Sequence, residues 1–185
     1  MSVPEITYSR ASSNEELEQI LKIQKRNLPQ HISLSEKEQE GYVTVHHTLE
    51  ALKKMNDACP HIIAKHNDDV VGYALCTLTE FIEDVPILKP LFRHLKIVLK
   101  SKNLTHLKYL IMGQVCIDKD YRRLGIFRSL YQHMASELKG EFDAIITEVN
   151  SKNVRSSGAH KAVGFQLLDI RHAKGEDWEQ IILKL

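Results

Sequence analysis

Most of the chemical content of this chain lies in one run, Val115-Cys116-Ile117-Asp118-Lys119-Asp120-Tyr121-Arg122-Arg123-Leu124-Gly125-Ile126-Phe127-Arg128-Ser129-Leu130. A short apolar segment leads into a basic turn with one glycine, and the turn opens into an amphipathic helical pattern. The first turn of a helix leaves backbone N–H donors without internal partners. The helix dipole puts partial positive charge at the same place, so a diphosphate is a natural ligand there. Arg122, Arg123 and Arg128 add full charges with guanidinium geometry matched to phosphate oxygens. Gly125 can take a positive φ and let a ligand approach the backbone. The same pattern also describes a solvated helix start, so the surrounding chain must separate the two readings.

The elements around this run alternate between strand and helix. A first strand is predicted over Ile6–Arg10. Ser13 and Glu16 then have capping-box spacing ahead of the helical periodicity of Leu17, Ile20, Leu21 and Ile23, with an end near Asn27 before Pro29. A cap signal opens the segment Ser33–Val43, which ends on Gly41-Tyr42-Val43, and a helix is predicted over Thr48–Met55. His61–Lys65 and Val70–Leu78 read as a hairpin with turn chemistry at Asn67-Asp68-Asp69. Pro86–Val98 reads as a helix or two broken turns, since Pro90 fits only a first turn. Leu107–Ile117 is a long strand, followed by the motif helix over Gly125–Leu138 and a strand over Phe142–Val149. A helix over Asn153–Val163 stops at Gly164, and Phe165–Arg171 and Trp178–Leu183 close an antiparallel pair.

The total of six or seven strands and four or five helices predicts one α/β domain over residues 1–185, built on a mixed sheet. A formal net charge of +1 excludes wholesale attraction to nucleic acid or to an acidic membrane, so any anion site is local. Cys59, Cys76 and Cys116 are odd in number, and the last two sit in apolar runs, as small buried hydrophobes in a reducing compartment do. Met1-Ser2-Val3-Pro4-Glu5 lacks the features of a signal peptide, and no apolar run is long enough to span a bilayer; a cytoplasmic protein is expected. The ten histidines are scattered without zinc-type spacing or a His-Glu-x-x-His pair, and no metal is expected.

With these elements in place, Arg122-Arg123-Leu124-Gly125-Ile126-Phe127 resembles the central signature of the GNAT N-acetyltransferase superfamily, an Arg or Gln, two residues, Gly, one residue, and a small residue. Phe127 departs from the pattern at the last position, where its side chain either limits the approach of a pyrophosphate or turns into the helix packing. The run Glu148-Val149-Asn150-Ser151-Lys152-Asn153 through His160-Lys161-Ala162-Val163-Gly164-Phe165 is similar to the family's second signature, and Val71-Gly72-Tyr73-Ala74 matches the strand pair that precedes both. The resemblance implies a mostly antiparallel sheet with splayed fourth and fifth strands, and acetyl-coenzyme A as co-substrate in transfer to an amine acceptor.

By this resemblance, Val115, Cys116 and Ile117 offer main-chain groups to the pantetheine arm. The N–H groups of Arg123, Leu124, Gly125, Ile126, Phe127 and Arg128 hold the pyrophosphate beside Arg122. Asn153 contacts the arm or serves as a helix N-cap, with Asn150 as the alternative for either role. His160 stands where many relatives carry a tyrosine general acid. It is either that acid or a residue packed beside the cofactor. The fourth strand carries no carboxylate, which leaves Glu148 on the fifth strand, or water, as proton acceptor. The backbone N–H of Val115 or Ile117 would stabilise the oxyanion. Tyr42, Val43, His46, His47 and the stretch from Phe81 to Phe92 are expected to line the acceptor pocket, in a monomer or homodimer. The rival reading is an acyl-CoA-binding sensor or interaction module without turnover. A nucleotide-binding protein fits less well, because Gly-x-x-x-x-Gly-Lys-Ser/Thr is missing.

Overall fold

The computed structural model describes residues 4–33, 35–36, 40, 42–43, 45–82, 85 and 88–185. Along them run β1 (Thr7–Arg10), α1 (Asn14–Arg26), α2 (Leu49–Ala58), β2 (Ile62–His66), β3 (Asp69–Thr77), α3 (Lys89–Ser101), β4 (Tyr109–Ile117), α4 (Ile126–Leu138), β5 (Ala144–Asn150), α5 (Val154–Val163), β6 (Gln166–Ala173) and β7 (Glu176–Lys184). The strands form one mixed sheet in the order β1-β2-β3-β4-β5-β7-β6. β4 and β5 run parallel, and the pairs β1–β2, β2–β3, β5–β7 and β6–β7 are antiparallel. This is the α/β mixed-sheet class expected from the sequence. The chain clusters into two compact units, Met1–Cys76 with Gln114–Met134, and Thr77–Gly113 with Ala135–Leu185.

In the first unit, α1 starts on the predicted capping box: Ser13 Oγ accepts the Glu16 N–H at 3.2 Å, and Glu16 Oε2 accepts the Ser13 N–H at 3.3 Å. The other oxygen of Glu16 takes Lys65 Nζ at 3.0 Å and so ties the helix start to β2. Leu17, Ile20 and Ile23 bury one stripe of α1, and α2 packs on α1 with Leu52 and Met55 buried. Thr48 caps α2 through the Ala51 N–H, and the helix stops at Cys59, before Pro60. The hairpin turns at Asn67-Asp68, with Asn67 at φ 55°, and Asp69 already belongs to β3. From Val70 to Thr77 every residue of β3 is buried, as in a strand covered on both faces. Gly72 sits at a close approach: a Cβ there would lie 2.8 Å from Ile117 Cδ1 and would push that side-chain end aside.

The second unit is built on α3. Leu91, Phe92, Leu95, Val98 and Leu99 cover Ile111, Ala144, Ile146, Leu168 and Ile182 in one core. α3 begins at Lys89 with Pro90 in its first turn; Pro86, the predicted start, lies outside the described residues, as do residues 34, 37–39 and 41 of the segment Ser33–Val43. Gly164 ends α5 at φ +116°. β6 and β7 extend beyond the predicted pair to meet at Lys174-Gly175. Their last residues, among them Arg171, His172, Glu176 and Asp177, are polar and show no apolar alternation by which a strand could be read. The cysteines are free thiols, with Cys59 and Cys76 buried and Cys116 half-buried. No helix among the described residues is long and apolar enough to cross a membrane.

One histidine is part of the core. His61 is fully buried, its Nδ1 accepts the Cys76 N–H at 3.1 Å, and its Nε2–H donates to the Leu52 carbonyl at 3.3 Å. Burial holds this imidazole down at about 3, so it folds neutral. An unfolded imidazole titrates near 6.5, so below that pH the unfolded chain binds a proton that the folded chain refuses. Stability is therefore full above about pH 6.5 and declines on acidification, by about 1.4 kcal/mol per pH unit from this residue alone. Urea midpoints measured from pH 7 to pH 5 should fall accordingly, and a flat profile would show that the folded state protonates His61.

Candidate functional site

β4 hands over to α4 through a turn fixed at several points, all within the first unit. The Asp118 N–H donates to the Val71 carbonyl at 2.8 Å. Asp118 Oδ1 accepts the Asp120 N–H at 3.2 Å, and Oδ2 accepts Arg26 Nη1 at 3.1 Å. A single 3₁₀ turn follows over Lys119–Tyr121, and Tyr121 Oη meets His66 Nδ1 at 2.9 Å. Two residues then adopt left-handed backbone, Arg123 at φ +68° and Gly125 at φ +80°. For an arginine that conformation costs roughly 1–2 kcal/mol, and it persists because the neighbouring contacts hold it.

The Gly125 carbonyl accepts the Ser129 N–H at 3.2 Å, which makes Gly125 the N-cap of α4. Glycine has no side chain to cap with, and the first turn carries no acidic residue. The N–H groups of Ile126, Phe127 and Arg128 thus leave the helix start without intrahelical acceptors. Leu124 and Gly125 are exposed, and a Cβ at Gly125 would meet open space. Exposed N–H groups flanking left-handed residues form an anion-binding concavity. The Phe127 ring turns away into helix packing, edge-on to Tyr131 with centroids 5.1 Å apart, so it does not cover these donors from the helix side.

The three arginines have different surroundings. Arg122 is drawn inward, with Nη2 donating to Asn27 Oδ1 at 2.6 Å, Nε 3.5 Å from the Ile117 carbonyl and Nη1 3.7 Å from Glu36. Its charge fastens the turn to the end of α1. Arg123 pairs with Glu40 at 2.6 Å, and Arg128 is exposed on the first turn of α4. Val115, Cys116 and Ile117 are half-buried. Within the second unit the β4–β5 ladder pairs Tyr109–Ile111 with Ala144–Ile146. Burial pushes the Cys116 thiol up to about 12, so it stays protonated and is no nucleophile.

In the second unit, Glu148 and His160 serve contacts of the scaffold. Both Glu148 oxygens accept from Arg171, Nε at 2.7 Å and Nη2 at 2.6 Å, and Arg171 lies over the Trp178 ring. His160 is buried on α5 with its ring edge-on to Phe165, centroids 5.2 Å apart. Its Nδ1–H donates to the Ser156 carbonyl at 2.8 Å, and burial pulls the imidazole down to about 4. A neutral ring has no acidic proton to deliver at neutral pH. Asn153 is the N-cap of α5, with Oδ1 on the Ser156 N–H at 3.1 Å, while Asn150 bonds Glu176 through Nδ2. Cap and ligand readings of Asn153 are compatible, because the cap uses only Oδ1.

A buried polar group in the first unit escaped the sequence reading. Tyr73 Oη donates to Gln114 Oε1, Gln114 Nε2 donates to the Val45 carbonyl at 3.0 Å, and Gln24 Oε1 accepts the His47 N–H at 3.0 Å. Gln24 on the apolar face of α1 was the one available signal. Of the expected acceptor-pocket residues, Val43 is buried, Tyr42 and His47 are half-buried and His46 is exposed. Part of the Phe81–Phe92 stretch, residues 83, 84, 86 and 87, lies outside the described residues. Among the described residues no group of three or more His, Cys, Asp or Glu side chains is placed to hold a metal ion.

Residues 17–165 match the acetyltransferase (GNAT) family. No curated protein matches the chain in sequence. Solved structures share the fold at low identity. The ribosomal-protein-S18-alanine N-acetyltransferase of Escherichia coli is 15% identical with a TM-score of 0.63, covering 97% of this chain and 94% of its own. A chain of the NatC complex bound to Gag peptide and CoA is 15% identical with a TM-score of 0.67, covering 98% and 99%. The putative acetyltransferase yncA of Salmonella typhimurium, solved with its cofactor acetyl-CoA, is 13% identical with a TM-score of 0.61, covering 97% and 93%.

The different environments of the arginines can be measured. Arg122→Met should destabilise the fold by roughly 2–4 kcal/mol, because it leaves Asn27 and Glu36 without their partner, while Arg128→Ala should stay within about 0.5 kcal/mol of the parent in urea denaturation.

Proposed function

The chain belongs to the acetyltransferase (GNAT) family, and we propose that it transfers the acetyl group of acetyl-coenzyme A to a primary amine of a small molecule or peptide. The observation that carries this reading is the start of α4 on a glycine behind two left-handed residues, Arg123 and Gly125. In this reading the N–H groups from Arg123 to Arg128 receive the pyrophosphate, with the Arg128 guanidinium on a phosphate oxygen. The main chain of Val115, Cys116 and Ile117 pairs with the pantetheine arm, and the N–H of Val115 or Ile117 faces the developing oxyanion. The amine attacks the thioester carbonyl, the C–N bond forms, the C–S bond breaks, and the thiolate takes a proton. A peptide acceptor is supported by the neighbours, one named for an alanine of a ribosomal protein and one bound to a peptide.

Glu148 and His160 hold the second unit together in this account and carry no proton of the reaction. Their engagement also favours one rival, a module that binds acyl-CoA without turnover. Free thiol released from acetyl-CoA with a panel of small amines, amino acids and peptides with free N-termini separates the two: tight cofactor binding by calorimetry with no thiol from any member would favour the sensor.

Gly125→Val should weaken acetyl-CoA binding at least tenfold, because a β-branched residue at φ +80° pulls the turn out of shape. Arg128→Ala should weaken it roughly tenfold, the worth of one charge-assisted hydrogen bond. His160→Phe should leave cofactor affinity and turnover within about twofold of the parent, by calorimetry and thiol release. Lost turnover with intact binding would return His160 to proton transfer.

A further inference from the structure

One backbone group fixes the direction of every hydrogen bond around His47. The His47 N–H can only donate, and it reaches Gln24 Oε1 at 3.0 Å. This orients the buried Gln24 amide, with its oxygen toward His47 and its Nε2 on the side of the Tyr73 hydroxyl, where it closes no aligned bond. The same oxygen lies 3.2 Å from His47 Nδ1, so Nδ1 carries the ring proton. Nε2 is then the lone-pair nitrogen, and no hydrogen bond to it is made among the described residues. The other end of the network is anchored on β4. Tyr73 donates to Gln114, and Gln114 donates to the Val45 carbonyl, two residues before His47. Gln114 immediately precedes Val115, whose main chain is the proposed dock for the thioester end of the cofactor.

We infer that His47 Nε2 is the proton acceptor for the attacking amine, and that Gln24 is the positioning residue that keeps its lone pair available. This rests on the proposed acetyl transfer at Val115–Ile117. The neutral amine attacks the carbonyl carbon, the C–N bond forms, and the carbonyl π pair moves onto oxygen. The oxygen pair then re-forms the carbonyl and the C–S bond breaks with its electrons on sulfur. As the nitrogen turns into an amide, His47 Nε2 takes one proton from it, and the imidazolium or a water in exchange with it returns that proton to the thiolate. Burial, with a smaller contribution from His46, holds the imidazole at about 4, so the ring is neutral throughout the physiological range. So weak a base does not strip an ordinary ammonium. The adduct nitrogen, however, becomes far more acidic as it turns into an amide, and the transfer is then downhill. Glu148, by contrast, has both oxygens committed to Arg171.

The test is His47→Ala in the full chain, assayed with acetyl-CoA and whichever amine of the panel the parent acetylates. Turnover should drop roughly 100-fold or more, acetyl-CoA affinity should stay within about twofold, and added free imidazole should restore part of the lost rate. A structural role for the ring would give no such rescue. In Gln24→Leu, nitrogen NMR of His47 should show a mixture of ring tautomers in place of the single Nδ1–H form. Turnover of His47→Ala within about threefold of the parent, or a loss that imidazole does not repair, would overturn the assignment while leaving acetyl transfer intact. A parent that binds acetyl-CoA but releases no thiol with any amine would overturn both.

Discussion

The descent from β4 into α4 imposes the constraint on which the rest of the first unit depends. Between Ile117 and Ile126 the chain must turn from extended strand to helix, and it does so with left-handed backbone at Arg123 and Gly125. A helix that begins on glycine has no capping side chain of its own at that position. That is an unfavourable way to start a helix unless an anion completes it. The conformation is held by distant groups: Val71 and Arg26 on Asp118, and Asn27 with Glu36 on Arg122. Part of the basic character of the motif is thereby consumed in structure. In the proposed binding of acetyl-CoA, what remains to attract a phosphate is chiefly oriented main chain, a fixed partial charge that needs no reorganisation when the ligand arrives.

The same unit holds a buried polar chain that an apolar core would not need. Tyr73 is fully enclosed, and burial pushes its phenol well above the ordinary range. Gln114 supplies the partner that makes enclosure tolerable. A network of this kind has one low-energy arrangement, because each amide must present oxygen to a donor and nitrogen to an acceptor. It therefore specifies the segment that includes Val45 and His47 more sharply than apolar contacts would, and it does so next to the strand that carries the expected cofactor contacts.

The second unit uses its charged residues to close its own sheet. Glu148 on β5, Arg171 on β6 and Gln180 on β7 meet across neighbouring strands, with Gln180 Nε2 also reaching the Leu91 carbonyl of α3 at 3.3 Å. A half-buried bidentate pair leaves little lone-pair capacity for chemistry. His160 is similarly absorbed, donating back to its own helix and packing on Phe165. Both side chains, singled out by their position in a signature, make such contacts with the scaffold, and a signature position by itself does not distinguish that role from a catalytic one.

Local chemistry made much of this legible from the sequence alone. The capping box at Ser13 and Glu16, the hairpin turn at Asn67, the stop at Gly164 and the strand-turn-helix around Gly125 are each determined by residues within a few positions of one another. The family resemblance rests on such short spans, and the elements found differ from those predicted mainly at their ends, where polar strand residues such as His172 and Asp177 give no alternation to read. Tertiary structure alone decided which polar side chains are committed and which are left over. Arg122 meets Asn27, Glu148 meets Arg171 and His47 meets Gln24 across long stretches of chain. Those pairings depend on how strands and helices stack, and the residue types involved are equally at home exposed to water.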